Sequence, residues 1–347
     1  MTTAAVVAAA TVPSVGATLH VERPLTERVL DRLPGSRVGW LLLWGLSPFM
    51  AYELANVVWG LPNYLGLPAN LAFGLANLVA LWAAGRLAAR IERLQPTLER
   101  LLAPEDLAPR RHPFRHVGRL RGPLLLSALS VLSWELVDFV GSPSVATAFV
   151  MAAVFVGQLG ISTFLWIYGV SLFGLDRIGR RTLHLEPFTT EPTLGLKPLG
   201  SLAFESFLLL AAAGTPPIAF VLGDVRGVVV GLGTVAIFAA LFILSAYSLH
   251  RTLVAAKASH LQWAHGLVVA ALASIEQHGR EPADEAAIVA VLGEARPALA
   301  AATEIERRAL AIQEWPFDAT IVRAVAAILT SVTAVVIARL LLSRLGM

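Results

Sequence analysis

Seven apolar blocks dominate this sequence, each about long enough to cross the roughly 30 Å hydrocarbon core of a bilayer. They are approximately Val38–Trp59, Ala69–Leu87, Pro123–Val140, Val145–Phe173, Ser201–Leu222, Val228–Leu249 and Thr320–Leu342. Inside lipid the backbone must satisfy its own hydrogen bonds, so blocks of this length fold as helices. Charged residues make up only 15% of the chain, against about 25% in soluble domains. The expected fold is therefore an all-α polytopic membrane protein of about seven transmembrane helices.

Basic residues set the expected orientation. Of the 27 lysines and arginines, 24 fall in the N-terminal tail or in the second–third, fourth–fifth and sixth–seventh connections. Only Arg226, Arg339 and Arg344 fall on the other side, an asymmetry that puts the N-terminus and long loops in the cytoplasm. The same placement accounts for the pI near 9.7 without a nucleic-acid partner. Met1–Val12 is Ala-rich but lacks the basic start of a secretory signal. The expected location is the cell membrane, the inner membrane of a prokaryote, with the lipid bilayer as the first partner.

Four regions follow: a cytoplasmic tail over 1–37, with a short amphipathic helix near Leu25–Leu33; a six-helix membrane region over 38–249, with cytoplasmic connections 88–122 and 174–200; a helical hairpin over 250–316; and a seventh span with a short C-terminus over 317–347. In the hairpin, Arg251–Gln277 continues the sixth span and Glu285–Gln313 returns, with Ile288, Val291, Leu292 and Leu299 expected to form a buried stripe. Trp315-Pro316 is expected to open the seventh span, with Trp at the interface and Pro in the first turn.

Ionisable groups inside spans are costly and mark candidate sites. Glu53 in the first span and Glu135 and Asp138 in the third share a depth of roughly 18–23 Å from the cytoplasmic face at helical rise. Asn56 shares a helix face with Glu53, and Gln158 in the fourth span and Asn70 and Asn77 in the second are placed to join them. Two readings stay open: a site or pathway for a small cation or proton, and hydrogen-bonding glue between helices. The run Gly214-Thr215-Pro216-Pro217 removes two amide donors in mid-span, so the fifth span is expected to kink or break there. Broken helices line ion sites in many transporters, while a plain kink is the alternative.

Several chemistries are excluded or unsupported. The absence of cysteine removes disulfides, thiolate metal sites and Cys catalysis. Lys197 and Lys257 are the only lysines and neither lies in an apolar block, which excludes a retinal Schiff base. No Walker A, GxSxG or HExxH motif occurs, and the chain is expected not to be an enzyme. His112 and His116 are expected in a solvated loop rather than a metal site, and no cofactor or metal is anticipated. The leading function is a cation or proton channel or transporter using the acidic cluster. The alternative is a non-transporting signalling or scaffold protein whose hairpin binds a partner or forms a homo-oligomer.

Overall fold

Long runs of Leu, Ala, Val and Phe without charge form helices because each residue's amide and carbonyl pair within the segment. The computed structural model describes residues 22–60, 66–134, 143–185, 191–221, 225–279, 285–317 and 319–344, and among them there is no strand. The helices are α1 (Leu25–Leu30), α2 (Arg37–Trp59), α3 (Gly66–Arg93), α4 (Gln95–Leu101), α5 (Arg121–Trp134), α6 (Val145–Gly179), α7 (Lys197–Val221), α8 (Val225–Gly279), α9 (Glu285–Ala311) and α10 (Ala319–Arg344). Among the described residues four stretches are long and apolar enough to cross a membrane: Asn70–Arg93, Val145–Gly179, Lys197–Pro216 and Ala239–Gln277. A fifth is reached if Arg37–Ser47 and Phe49–Trp59, bent by 49°, count as one span.

That bend has a local cause. Pro48 has no amide to offer the Trp44 carbonyl one turn earlier, and a proline ring crowds that turn. The Ser47 hydroxyl donates to the Trp44 oxygen at 3.2 Å and satisfies it. At Gly214-Thr215-Pro216-Pro217, where a kink or break is expected, the backbone stays helical, so the span is not broken there. Helix α7 runs through the four residues to Val221, and Thr215 Oγ1 donates to the Ala211 carbonyl at 2.6 Å. Helix starts are capped where the sequence supplies hydroxyls. Ser144 and Thr147 form a reciprocal capping box at α6, and Gly60 closes α2 with a left-handed φ of 64°.

α3 packs against α2, α6 and α7, α6 also meets α5 and α8, and α8 carries both α9 and α10. Of the largest fully buried side chains, Leu81 and Phe164 lie near the middles of α3 and α6, and many of the others lie near one end of the bundle. Leu98, Phe114, Ile178, Leu196 and Leu199 belong to the charged connections and adjoining helix ends, at one pole of the bundle. Gly174 makes room there for the ring of Phe114, and Gly200 for the backbone of Pro316. Two sequence expectations need correction at this pole. His112-Pro113-Phe114 is core rather than solvated loop, with Phe114 fully buried. Pro316 precedes α10 rather than opening it, and Trp315 stacks on His250 with ring centroids 4.3 Å apart.

The α8–α9 hairpin packs through small residues. Its closest layer is alanine: Ala264 and Ala271 on α8, and Ala295, Ala302 and Ala309 at seven-residue spacing on α9, are all buried. Small residues let helix backbones approach closely, and a seven-residue repeat keeps one seam facing the partner. Leu299 is half-buried and Leu310 is 60% exposed. The side chains of Ile288, Val291 and Leu292 lie outside the described residues.

The Gly200 contact gives a test. In a helix, alanine normally stabilises by about 1 kcal/mol over glycine. At Gly200 an added Cβ overlaps the Pro316 carbonyl, so Gly200→Ala should instead cost about 1–3 kcal/mol. Gly169→Ala, where a Cβ meets nothing within 4 Å, should be neutral or stabilising. Thermal unfolding of the two purified variants in detergent reads the contrast. Equal midpoints would mean that Pro316 does not seat against α7.

Candidate functional site

The polar groups expected to matter sit on α2, α3 and α6, three helices that pack on one another. Glu53 lies beyond the Pro48 bend of α2, half-buried, and Asn70 lies in the first turns of α3, buried. Asn70 Nδ2 donates to Glu53 Oε1 at 2.8 Å. One turn pair further along α3, buried Asn77 donates to the Gly45 carbonyl of α2 at 3.3 Å. Gly45 has no side chain to hold α2 away from Leu78, and Gly160 of α6 lies against the Asn77 oxygen. Asn77 is therefore seated between two glycine-lined helix surfaces.

Other donors in this region also end on backbone carbonyls. Trp44 Nε1 of α2 donates to Val156 O at 2.8 Å, and Ser127 Oγ of α5 donates to Phe155 O at 2.8 Å, both acceptors on α6. Asn56 and Gln158 are half-buried on α2 and α6, and among the described residues no hydrogen bond joins either to Glu53. Glu135 and Asp138 lie outside the described residues. Chemically, the described part of the cluster is a set of ties between helices: one carboxylate held by a neutral amide, and donors capping carbonyls.

A second polar group stands at the pole. Glu205 of α7 receives Arg86 Nε at 2.6 Å and has Arg90 Nε at 3.4 Å, while Arg90 also donates to Ser201 Oγ at 2.9 Å. Arg86 lies over Trp82, 5.4 Å from the ring centroid. These contacts bind the end of α3 to the start of α7. A bifurcated carboxylate–arginine pair of this kind positions helices and offers no nucleophile.

The two loop histidines are engaged within their own segment, and His112 Nε2 also lies 3.3 Å from Gln95 Oε1 of α4. His112 Nδ1 accepts from the Phe114 amide at 3.2 Å, and His116 Nε2 accepts from Arg115 Nε at 3.0 Å. Burial, then the charge of Arg181, lowers the His112 pKa. Burial lowers that of His116 as well, with Arg119, Arg115 and Arg177 adding to the effect. Both imidazoles are biased toward the neutral form. Among the described residues no group of three His, Asp or Glu side chains is arranged to hold a metal.

Sequence reasoning missed the aromatic column at the pole. Phe207, Phe242, Phe317, Trp315 and His250 follow one another with centroid spacings of 5.2, 5.1, 6.1 and 4.3 Å. His250 Nδ1 also lies 2.6 Å from the Glu314 carbonyl. The Trp-Pro-Phe run between two helices was the available signal, because paired aromatics flanking a proline need a packing surface.

The architecture is all-helical, with several helices apolar and long enough to be compatible with an integral membrane protein. The chain matches no protein-family profile, no curated protein and no solved structure. Geometry alone carries the functional argument.

The Glu53–Asn70 bond separates a tie from a charge-dependent site. Glu53→Gln keeps an acceptor oxygen for Asn70 and should leave stability unchanged. Glu53→Leu removes the bond and should cost about 0.6–2 kcal/mol, the range for interhelical hydrogen bonds in membranes. Thermal unfolding in micelles distinguishes them; a Gln variant as damaged as the Leu variant would show that the negative charge itself is needed.

Proposed function

We propose that this is a seven-span integral membrane protein of the cell membrane, N-terminus and long connections cytoplasmic, whose α8–α9 hairpin is an element of homo-oligomeric assembly. The charge asymmetry of the connections supports the orientation. One observation carries the assembly role. Helix α8 spans 55 residues, roughly 80 Å at helical rise, against a bilayer core of about 30 Å. Beyond the pole its inner face is sealed to α9 by alanines. Its outer face repeats Val254, His265, Val269 and Leu272 within one sector of the helix, with Val269 and Leu272 50% and 54% exposed. An apolar sector on a projecting hairpin is better covered by another helix than by water. A self-complementary pairing about a two-fold axis would cover it on both copies.

The chain has no cysteine, so a single introduced one reports directly. Leu272→Cys should give oxidant-dependent dimers in membranes, while Ala270→Cys, exposed on the opposite side of α8, should not. Val269→Asp combined with Leu272→Asp should reduce the particle to a monomer by light scattering. Equal cross-linking at 270 and 272, or a monomeric unmodified protein, would rule out this interface.

A second reading, a cation or proton channel or transporter, is favoured by the position of a carboxylate, Glu53, within an apolar helix, where it bonds to Asn70 of the next helix. Under this reading Glu135 and Asp138 complete the site with Glu53. The triple variant Glu53→Gln, Glu135→Gln, Asp138→Asn should then abolish cation flux in proteoliposomes. Flux equal to that of the unmodified protein would exclude the cluster from any pathway.

A further inference from the structure

Between α5 and α6, where both reach the basic pole, a cavity of about 200 Å³ opens on the outside of the bundle. Its character changes along its length. One end is His116 and Arg177; the remainder is apolar, with Leu126 of α5 facing Leu165, Gly169 and Phe173 of α6. Leu165, Gly169, Phe173 and Arg177 succeed one another four residues apart, so they form one stripe on α6, about 18 Å from first to last. Phe173 is 68% exposed and Leu165 40%.

The polar end carries unbalanced charge. Arg115, Arg119 and Arg177 surround His116 closely enough to act on its titration. Elsewhere at this pole arginines meet carboxylates: Arg86 and Arg90 at Glu205, Arg180 at Asp176, Arg181 at Asp106. Among the described residues no carboxylate pairs with Arg115, Arg119 or Arg177. Clustered guanidiniums beside an apolar slot match a phosphate on a hydrocarbon chain, since planar guanidinium recognises phosphate oxygens and the slot takes the acyl methylenes.

We propose that this slot is a binding site for an anionic glycerophospholipid, its phosphate among Arg115, Arg119 and Arg177 and one acyl chain laid over Gly169. The proposal rests on the membrane reading above and on the pole facing the headgroup layer. A free phosphate would satisfy the arginines but leave Leu126, Leu165 and Phe173 uncovered; the lipid covers both. Gly169 is the position where the chain fits, because a Cβ placed there meets nothing within 4 Å.

The openness at Gly169 supplies a variant that fills the slot without disturbing the fold. Native mass spectrometry of the full chain in detergent, titrated with phosphatidylglycerol and with phosphatidylcholine of identical acyl chains, measures retention. The unmodified protein should retain phosphatidylglycerol in preference to phosphatidylcholine. Gly169→Leu should lower phosphatidylglycerol retention by blocking the chain. Arg177→Gln should lower it about fivefold, the equivalent of one basic contact near a membrane surface. Inorganic phosphate at millimolar concentration should not compete. Equal retention of the two lipids, retention unchanged in Gly169→Leu, or displacement by phosphate would each overturn the proposal. Alkaline carbonate extraction keeps the two readings apart. A chain released from membranes by carbonate refutes the membrane reading, whereas a chain that stays in the pellet and fails the lipid titration refutes only the lipid site.

Discussion

One end of the bundle is closed by backbone groups of separate connecting segments bonding to each other, and the placement of the helices depends on that closure. The His184 amide donates to Leu101 O and the Gln313 amide to Pro192 O, each at 2.9 Å. Arg28 reaches Gly118 O, Trp166 reaches His116 O and Thr252 reaches Gly179 O. These bonds join the tail, the α4–α5 connection, the α6–α7 connection and the segment before α10. Along the helical shafts the situation differs. Leu125, Leu129, Leu132, Phe173 and Leu244 are exposed there, as suits helices whose outer surface meets lipid and gains little by meeting another helix. Fixing helix ends in a conventional core is then the economical way to set their mutual positions.

This division explains what was legible in the sequence and what was not. Helix existence was legible, because uninterrupted apolar runs leave the backbone one satisfactory solution in lipid. The closed pole was not, because its segments are rich in arginine and proline and look like solvated connections. Phe114 stands amid His112, Pro113 and Arg115, and nothing in that string reveals that its ring fills the space left by Gly174, sixty residues away. Proline was legible as a perturbation but not by size. Pro48 coincides with a 49° bend, while helix continues past Pro216 and Pro217. A deleted amide is a local fact, whereas the bend it allows is set by neighbouring helices.

The hairpin shows the same limit in another form. Period-seven burial was present in Ala295, Ala302 and Ala309, but a search weighted toward large aliphatics passes over alanine. The large residues then become informative in the opposite sense: Val269, Leu272 and Leu310 mark what the α8–α9 seam leaves uncovered. Among candidate site residues, Glu53 and Asn70 were correctly placed on neighbouring helices, and the structure joins them. Asn70 is expected to join Glu53 from the second span, and the two are hydrogen-bonded. Asn56 and Gln158 share the depth but not the contact, since rotation about the helix axis depends on packing.

A carboxylate held by an amide can be a tie or a site, and its surroundings bear on the choice. Around Asn77 the neighbours are Gly45, Gly160 and closely apposed helix backbones, which suit permanent contact better than a path for hydrated ions. A pathway needs polar groups spaced along a wettable channel, whereas these donors end singly on backbone carbonyls of the adjacent helix. The bonds formed by Trp44, Asn77 and Ser127 each join two helices away from the connecting segments that close the pole. They complement the pole by holding the shafts at a second level. The proposed contact surfaces, the outer face of α8 and the arginine-headed slot between α5 and α6, lie on the outside of this framework.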